Sequence, residues 1–188
     1  MLDQLLHVLT PEAVGPDKFR GSNMHPQGFR VYGGQVLAQA VGAALATVEE
    51  DRVLHSQHAY FLRPGDTSQP IDFEVERARD GKSFSSRRVV ALQQGRVILV
   101  SSMSFQEESR GDDYQPDMPR VTPPEELSSD RQIMLDAGNL DENFMITTGE
   151  DLDVRLVGPV AWDKPAPAGT VLNVWVRTNG PVPAGRAL

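Results

Sequence analysis

The chain has 188 residues, no cysteine, 39% hydrophobic and 23% charged residues, and a formal net charge of -8. That length is one ordinary domain, or one domain with part of a second, which excludes a large multidomain enzyme. The missing cysteines exclude disulfide frameworks, thiol nucleophiles and cysteine-based zinc sites, so stability has to come from a packed core, and a reducing compartment fits.

Leu2, Leu5, Leu6 and Leu9 fall at helical spacing and Thr10-Pro11 ends the run, which predicts a short amphipathic helix over 1–9. Asp3 and His7 interrupt it where a secretory signal needs an unbroken apolar run, and no stretch approaches 18 apolar residues. A soluble, cytoplasmic protein with no membrane span is expected. Phe29 to Tyr32 reads as a short strand entering Gly33-Gly34. From Gln35 to Val48 the residues Val36, Leu37, Ala40, Val41, Ala44, Leu45 and Val48 follow a helical period, with alanines filling much of the rest. Such a helix is apolar nearly all round, which implies burial on most sides and close wrapping by a sheet.

The period then changes from 3.6 to 2. Leu54 to Leu62 is an aromatic-rich strand closed by Arg63-Pro64-Gly65-Asp66. Ile71, Phe73 and Val75 alternate with Asp72, Glu74 and Glu76, a strand with one wet face. Asp80-Gly81 predicts a two-residue hairpin that sets Glu74 against Arg87. Gln94-Gly95 predicts a second hairpin, with Leu92 against Val97 and Val90 against Leu99. In that register Val89, Ala91, Ile98 and Val100 lie on the outer face of the meander, which then needs cover and implies at least a dimer.

The charge is uneven along the chain. Residues 1–106 hold 11 Lys/Arg and 11 Asp/Glu, whereas 107–153 hold 3 against 14 and carry Pro116, Pro119, Pro123 and Pro124. That stretch reads as a solvated connector. Beyond it only Val154 to Val160 and Thr170 to Arg177 look like strands, and two strands do not fold alone. The domain reading is 1–106, a connector over 107–153, and the opening strands of a second domain over 154–188. An acidic chain without a basic stripe excludes nucleic acid as a partner.

Common catalytic signatures are missing: no G-x-S-x-G, P-loop, G-x-G-x-x-G or H-E-x-x-H. His55 and His58, three apart on a strand, point to opposite faces and do not share a metal ion, so neither a metal nor a cofactor is expected. His58 shares its face with Tyr60, and the pair is a candidate substrate contact beside the plainer reading of a hydrogen-bonded structural histidine. Gly33-Gly34-Gln35 at a helix start is the second candidate, because free N–H groups there favour developing negative charge. Its plainer reading is a tight turn into the helix. Arg79, Arg87 and Arg88 flank the first hairpin and either bind phosphate or pair with Glu74 and Glu76.

Phe19-Arg20-Gly21, Gly33-Gly34-Gln35-Val36, the run His55-Ser56-Gln57-His58-Ala59-Tyr60-Phe61-Leu62-Arg63-Pro64-Gly65-Asp66, and Arg79-Asp80-Gly81-Lys82-Ser83-Phe84-Ser85 with Arg87-Arg88-Val89 resemble the acyl-CoA thioesterase II family. Val174-Trp175-Val176-Arg177 before Asn179-Gly180 extends the resemblance into a second half. It implies an α+β fold, a double hot-dog: two long helices, each wrapped by an antiparallel sheet, the second hot-dog incomplete here. It also implies hydrolysis of fatty acyl-CoA to free fatty acid and coenzyme A, by a water activated through an Asp, a Thr or Ser, and a Gln lying beyond Leu188. Within the chain the candidate substrate contacts remain those read from the residues themselves: Gly33, Gly34, Gln35, His58 and Tyr60. The partners it implies are acyl-CoA and either further copies of the chain or a second hot-dog half. Two alternatives stand beside it: a non-catalytic acyl-CoA-binding or assembly module, and a hot-dog enoyl-CoA hydratase, whose Asp and His are absent from Gly33 to Ala44.

Overall fold

The computed structural model describes residues 2–24, 29–138, 151–158 and 171–183, and Asp3–Gly111 and Asp112–Val182 fall in separate compact units. In the first unit, α1 (Leu2–Leu9) is followed by a hairpin of β1 (Glu12–Gly15) and β2 (Lys18–Gly21), then α2 (Gly33–Leu45). Four long strands follow: β3 (Arg52–Phe61), β4 (Ile71–Asp80), β5 (Phe84–Gln93) and β6 (Arg96–Glu107). They form one antiparallel six-stranded sheet in the order β1-β2-β4-β5-β6-β3.

The sheet's inner face covers α2. Ala40, Ala43 and Ala44 are fully buried, together with Ile71, Phe73, Val89, Ala91, Leu99 and Phe105, and Phe19 is nearly so. Alanine makes this possible twice over: it favours the helix and lets strand side chains reach the helix backbone. Gly42 extends the same device to α1, since a Cβ there would meet Pro11 Cδ at 3.0 Å and the Leu9 carbonyl oxygen at 3.1 Å. Bulges between Leu54 and Ser56, Arg77 and Arg79, and Ala91 and Leu92 bend the strands around the helix.

Those irregularities overturn part of the expected register. Gln94 and Gly95 do form the tight turn, with φ of 50° and 73°, and Leu92 faces Val97, but the bulge after Ala91 sets Val90 against Val100 and not Leu99. Asp80-Gly81 is not the two-residue turn: Asp80 pairs with Ser85 and the loop closes through the Gly81 N–H on the Phe84 carbonyl at 2.8 Å. Glu74 therefore faces Val90 and bonds Lys18 at 2.9 Å, while Arg87 turns inward. Val89 and Ala91 follow it into the core, so the outer face carries Val90, Leu92 and Val100. Phe29 to Tyr32 is not a strand, and Phe29 is 94% exposed.

Buried Arg87 ties the far end of α2 to the β4–β5 hairpin. It donates to the Thr47 hydroxyl at 2.8 Å and carbonyl at 2.9 Å, to the Arg79 and Ser86 carbonyls, and to Asp80 at 2.7 Å. The Arg87 guanidinium holds the Asp80 carboxyl below the usual carboxylate range.

In the second unit β7 (Leu152–Val157) and β8 (Asn173–Thr178) pair antiparallel, from Leu152 on Thr178 to Val157 on Asn173. The expected strand ends Pro159, Val160 and Thr170 lie outside the described residues. The 107–153 stretch is largely exposed where described, yet it carries local structure: a 3-10 turn (Pro124–Glu126) and α3 (Asp130–Asp136), capped by Ser129. Arg155 donates to the Pro124 and Leu127 carbonyls and Trp175 to that of Thr122, so the strand pair gathers the chain before it.

Gly42→Val is expected to destabilise the first unit by about 1–3 kcal/mol through overpacking against Leu9 and Pro11, read as a lowered urea midpoint. Arg87→Met is expected to cost about 2–3 kcal/mol, because Thr47, Arg79 and Ser86 acceptors lose their donor. For Asp80→Asn the gap to the wild type is expected to be present at neutral pH. It closes as pH falls below about 4 and through the lowered folded value of Asp80, because a depressed carboxyl stabilises only while ionised. Urea titrations across pH would show it.

Candidate functional site

Helix α2 opens without the usual polar cap. Tyr32 precedes it in an extended conformation, makes no side-chain cap, and accepts the Gln35 and Val36 N–H groups on its carbonyl at 3.1 and 3.3 Å. The two glycines answer to ring packing: a Cβ at Gly33 would lie 3.1 Å from the Phe61 ring and one at Gly34 2.5 Å from that of Tyr32. Both rings remain more than half exposed. The start of α2 is thus a backbone surface with two aromatic walls, which suits an acyl group more than a charged one.

Gln35 lies at this helix start but its amide is turned to the chain. Its Nε2 donates to the Ser22 carbonyl at 3.3 Å and Asn23 Oδ1 at 3.0 Å, and its Oε1 accepts the Met24 N–H at 3.2 Å. One turn on, Gln39 donates to the Val8 and Ser22 carbonyls, both at 2.7 Å. Asn23 passes the linkage to the Thr67 and Gln69 carbonyls at 3.0 and 2.6 Å. Gln93 holds the same loop from the sheet, donating to Asp66 and Gln69 and accepting the Asp66 N–H at 2.7 Å. Four side-chain amides thus fix the loops beside the start of α2. Sequence reasoning named only Gln35 of them. Gln39 four residues later, on the same face of an otherwise apolar helix, was the available signal.

His58 and Tyr60 stand elsewhere. Their pairs are Ser102 and Val100, on the outer face, whereas Ala59 packs on the core side. The five candidate residues are therefore split by the sheet, with Gly33, Gly34 and Gln35 inside it and His58 and Tyr60 outside. The expected opposition of His55 and His58 also fails, because the bulge at Leu54/Ser56 adds a residue. His55 meets Ser104 Oγ at 2.8 Å and the Phe84 ring at 5.7 Å, on the same outer face as His58. Among the described residues no group of three or more His, Asp or Glu is arranged to hold a metal ion.

In the second unit, a pocket of about 130 Å³ lined by Met118, Val121, Val157, Val174 and Trp175 falls short of the ~300 Å³ that small-molecule sites begin at. No helix among the described residues is long and apolar enough to cross a membrane. Gln35→Leu, close in volume but without the amide, is expected to raise amide hydrogen exchange at Ser22 to Met24 and Asp66 to Gln69 while leaving β5 and β6 protected. Equal exchange in both proteins would show that the amides do not hold these loops.

Residues 21–106 match the sequence family described as the acyl-CoA thioesterase N-terminal domain. Acyl-CoA thioesterase 2 of Haemophilus influenzae is 44% identical over 136 residues, 72% of this chain and 47% of that protein. The crystal structure of an acyl-CoA thioesterase II, TesB2, from Mycobacterium marinum superposes with a TM-score of 0.71 at 35% identity, over 97% of this chain and 62% of that one. A hot-dog protein of unknown function from Alicyclobacillus acidocaldarius shares the fold alone, at 17% identity, a TM-score of 0.69, and coverage of 93% of this chain and 62% of that one. The chain spans between about half and just under two thirds of the length of these relatives. With its alanine-rich helix wrapped by an antiparallel sheet, this chain belongs to the acyl-CoA thioesterase II family, and residues 21–106 form its N-terminal hot-dog domain.

Proposed function

We propose that this chain is the N-terminal part of an acyl-CoA thioesterase that hydrolyses fatty acyl-CoA to free fatty acid and coenzyme A. The observation that carries the reading is the uncapped, glycine-lined start of α2 between the Tyr32 and Phe61 rings, in a domain that matches the thioesterase family. Water attacks the thioester carbonyl, and negative charge grows on its oxygen as the tetrahedral intermediate forms. Backbone N–H groups at a helix start favour that charge, and neighbouring aromatic rings exclude water from the acyl chain. Gln35 acts by fixing the loops around this opening. The general base, by resemblance an Asp with a Thr or Ser and a Gln, comes from beyond Leu188.

Residues 154–188 read in the same way as the opening of a second hot-dog, supported by the alignment of nearly the whole chain with TesB2. The protein then works as an assembly, through a second hot-dog half, further copies of the chain, or both. The cysteine-free composition supports a cytoplasmic setting.

Incubating the 188-residue chain, and a form extended through a second hot-dog, with palmitoyl-CoA and following free thiol tests the reading. Thiol release by the extended form is expected. No release from it, with calorimetry still showing acyl-CoA bound, would replace the thioesterase by a binding module. Gly33→Val in the extended form is expected to lower kcat/KM at least about tenfold, since a branched side chain displaces Phe61 from the opening.

A further inference from the structure

A chain of net charge -8 receives an anionic molecule best where its own carboxylates are absent, and the first unit has such a place. Residues 18–48, 53–71 and 81–106, which carry α2 and most of β3, β5 and β6, contain one carboxylate, Asp66. It is turned to Ser68, whose hydroxyl and N–H donate to its Oδ1 at 2.7 and 2.8 Å. The acids gather at the opposite end of the helix and strands: Glu49, Glu50 and Asp51 follow α2, Asp80 ends β4 and Glu107 ends β6. At the acid-poor end stand three exposed cations, Arg30, Arg63 and Arg96, and among the described residues no carboxylate pairs with any of them. Arg63 comes just after Phe61, whose ring lies against Gly33 at the start of α2. Its Nη1 donates to the Val97 carbonyl at 2.6 Å, and the Leu62 and Arg63 N–H groups bond the Ile98 carbonyl at 2.8 and 3.3 Å, which ties it to β6 beside Arg96. Arg30 arrives from the other loop, since the Val31 N–H donates to the Gly65 carbonyl at 2.9 Å. Elsewhere on the sheet cations are matched: Lys18 with Glu74, Arg20 with Asp72, Arg77 with Asp17 and Arg88 with Glu76.

We propose that Arg63, with Arg30 and Arg96, binds the phosphate groups of the acyl-CoA substrate, so that the nucleotide end of coenzyme A lies over this end of the sheet while the thioester enters at Gly33 and Gly34. The inference rests on the thioesterase reading and names the residues that select the coenzyme. A guanidinium offers five donors in one plane; Val97 takes one from Arg63 and steadies the group, and the remaining edge matches two phosphate oxygens. A guanidinium held by a carboxylate gives up that bond before it takes a phosphate, and these three have none to give up. Arg63 lies two residues, about 7 Å of extended chain, beyond the ring that walls the opening. The pantetheine arm then spans from a thioester at the glycines to phosphates at the rim. The trio that sequence alone put forward for phosphate does not serve: Arg87 is buried, Arg88 is paired with Glu76, and Arg79 stands beside Asp80 at the acidic end.

Calorimetry on the 188-residue chain with two ligands tests this: S-hexadecyl-CoA, a thioether that water does not cleave, and S-hexadecyl-pantetheine, which lacks the phosphates. The wild type is expected to bind the first at least about tenfold more tightly than the second. Arg63→Met is expected to remove most of that preference, leaving the affinity for S-hexadecyl-pantetheine as it was, and Arg79→Met to bind both ligands as the wild type does. If Arg63→Met does not fold once its bond to Val97 is gone, the double variant Arg30→Met/Arg96→Met, which removes no hydrogen bond or ion pair within the described residues, takes its place. No binding of S-hexadecyl-CoA, equal affinity of the wild type for both ligands, a folded variant that keeps the preference, or one that weakens both ligands alike would overturn the proposal. So would a wild type that shows no preference yet sediments through these arginines with phosphatidylglycerol vesicles, which would give the patch to a lipid surface. A preference for S-hexadecyl-CoA that Arg63→Met abolishes, with no thiol release from the extended form, would end the hydrolase reading and leave this assignment in place.

Discussion

The burial of α2 against a curved sheet is the constraint on which the rest depends. Ala40, Ala43 and Ala44 leave no side chain to hold the strands away, so Phe73, Val89, Leu99 and Phe105 close directly on the helix. A sheet that closes this tightly has to bend, and it bends through bulges in β3, β4 and β5–β6. Each bulge adds one residue to one strand and so reverses which side chains face the helix beyond it.

That reversal links the core to the chemistry. Arg87 becomes a buried clamp between α2 and the first hairpin instead of a surface cation free for phosphate. His55 comes to the outer face beside His58, and the two sides of the sheet acquire separate tasks. The inner side presents the glycine-lined start of α2 between two aromatic rings, held by the amides of Asn23, Gln35, Gln39 and Gln93. The outer side presents a charge-matched surface with its histidines grouped. The glycine-lined helix start and the charge-matched outer face thus rest on one sheet without sharing a residue.

The second unit shows how an acidic, proline-punctuated stretch is recruited. Asp153 on β7 takes hydrogen bonds from Arg155 and Arg177, and the Arg155 guanidinium holds its carboxyl below the ordinary carboxylate range. Arg155 then spends its remaining donors on the Pro124 and Leu127 carbonyls. These carbonyls flank a short 3-10 turn, where few backbone donors are at hand, and a cation on a strand supplies further ones. Composition marked this region as solvent-exposed, and most of its described residues are, but charge density says nothing about which backbone groups a distant arginine will bind.

The sequence by itself determined a helix over Gln35–Val48, realised as Gly33–Leu45, the four long strands, the Gln94-Gly95 turn and the family, since each is written in local period, turn chemistry or contiguous motif. It marked the glycine pair at the helix start for the same reason. Only the tertiary structure decided which residues face inward on β5, that Asp80-Gly81 opens a longer loop, and that His58 and Tyr60 stand apart from Gly33, Gly34 and Gln35. Strand alternation has period two, so an inserted residue flips every prediction downstream of it, and nothing local announces a bulge that exists to curve a sheet around a helix.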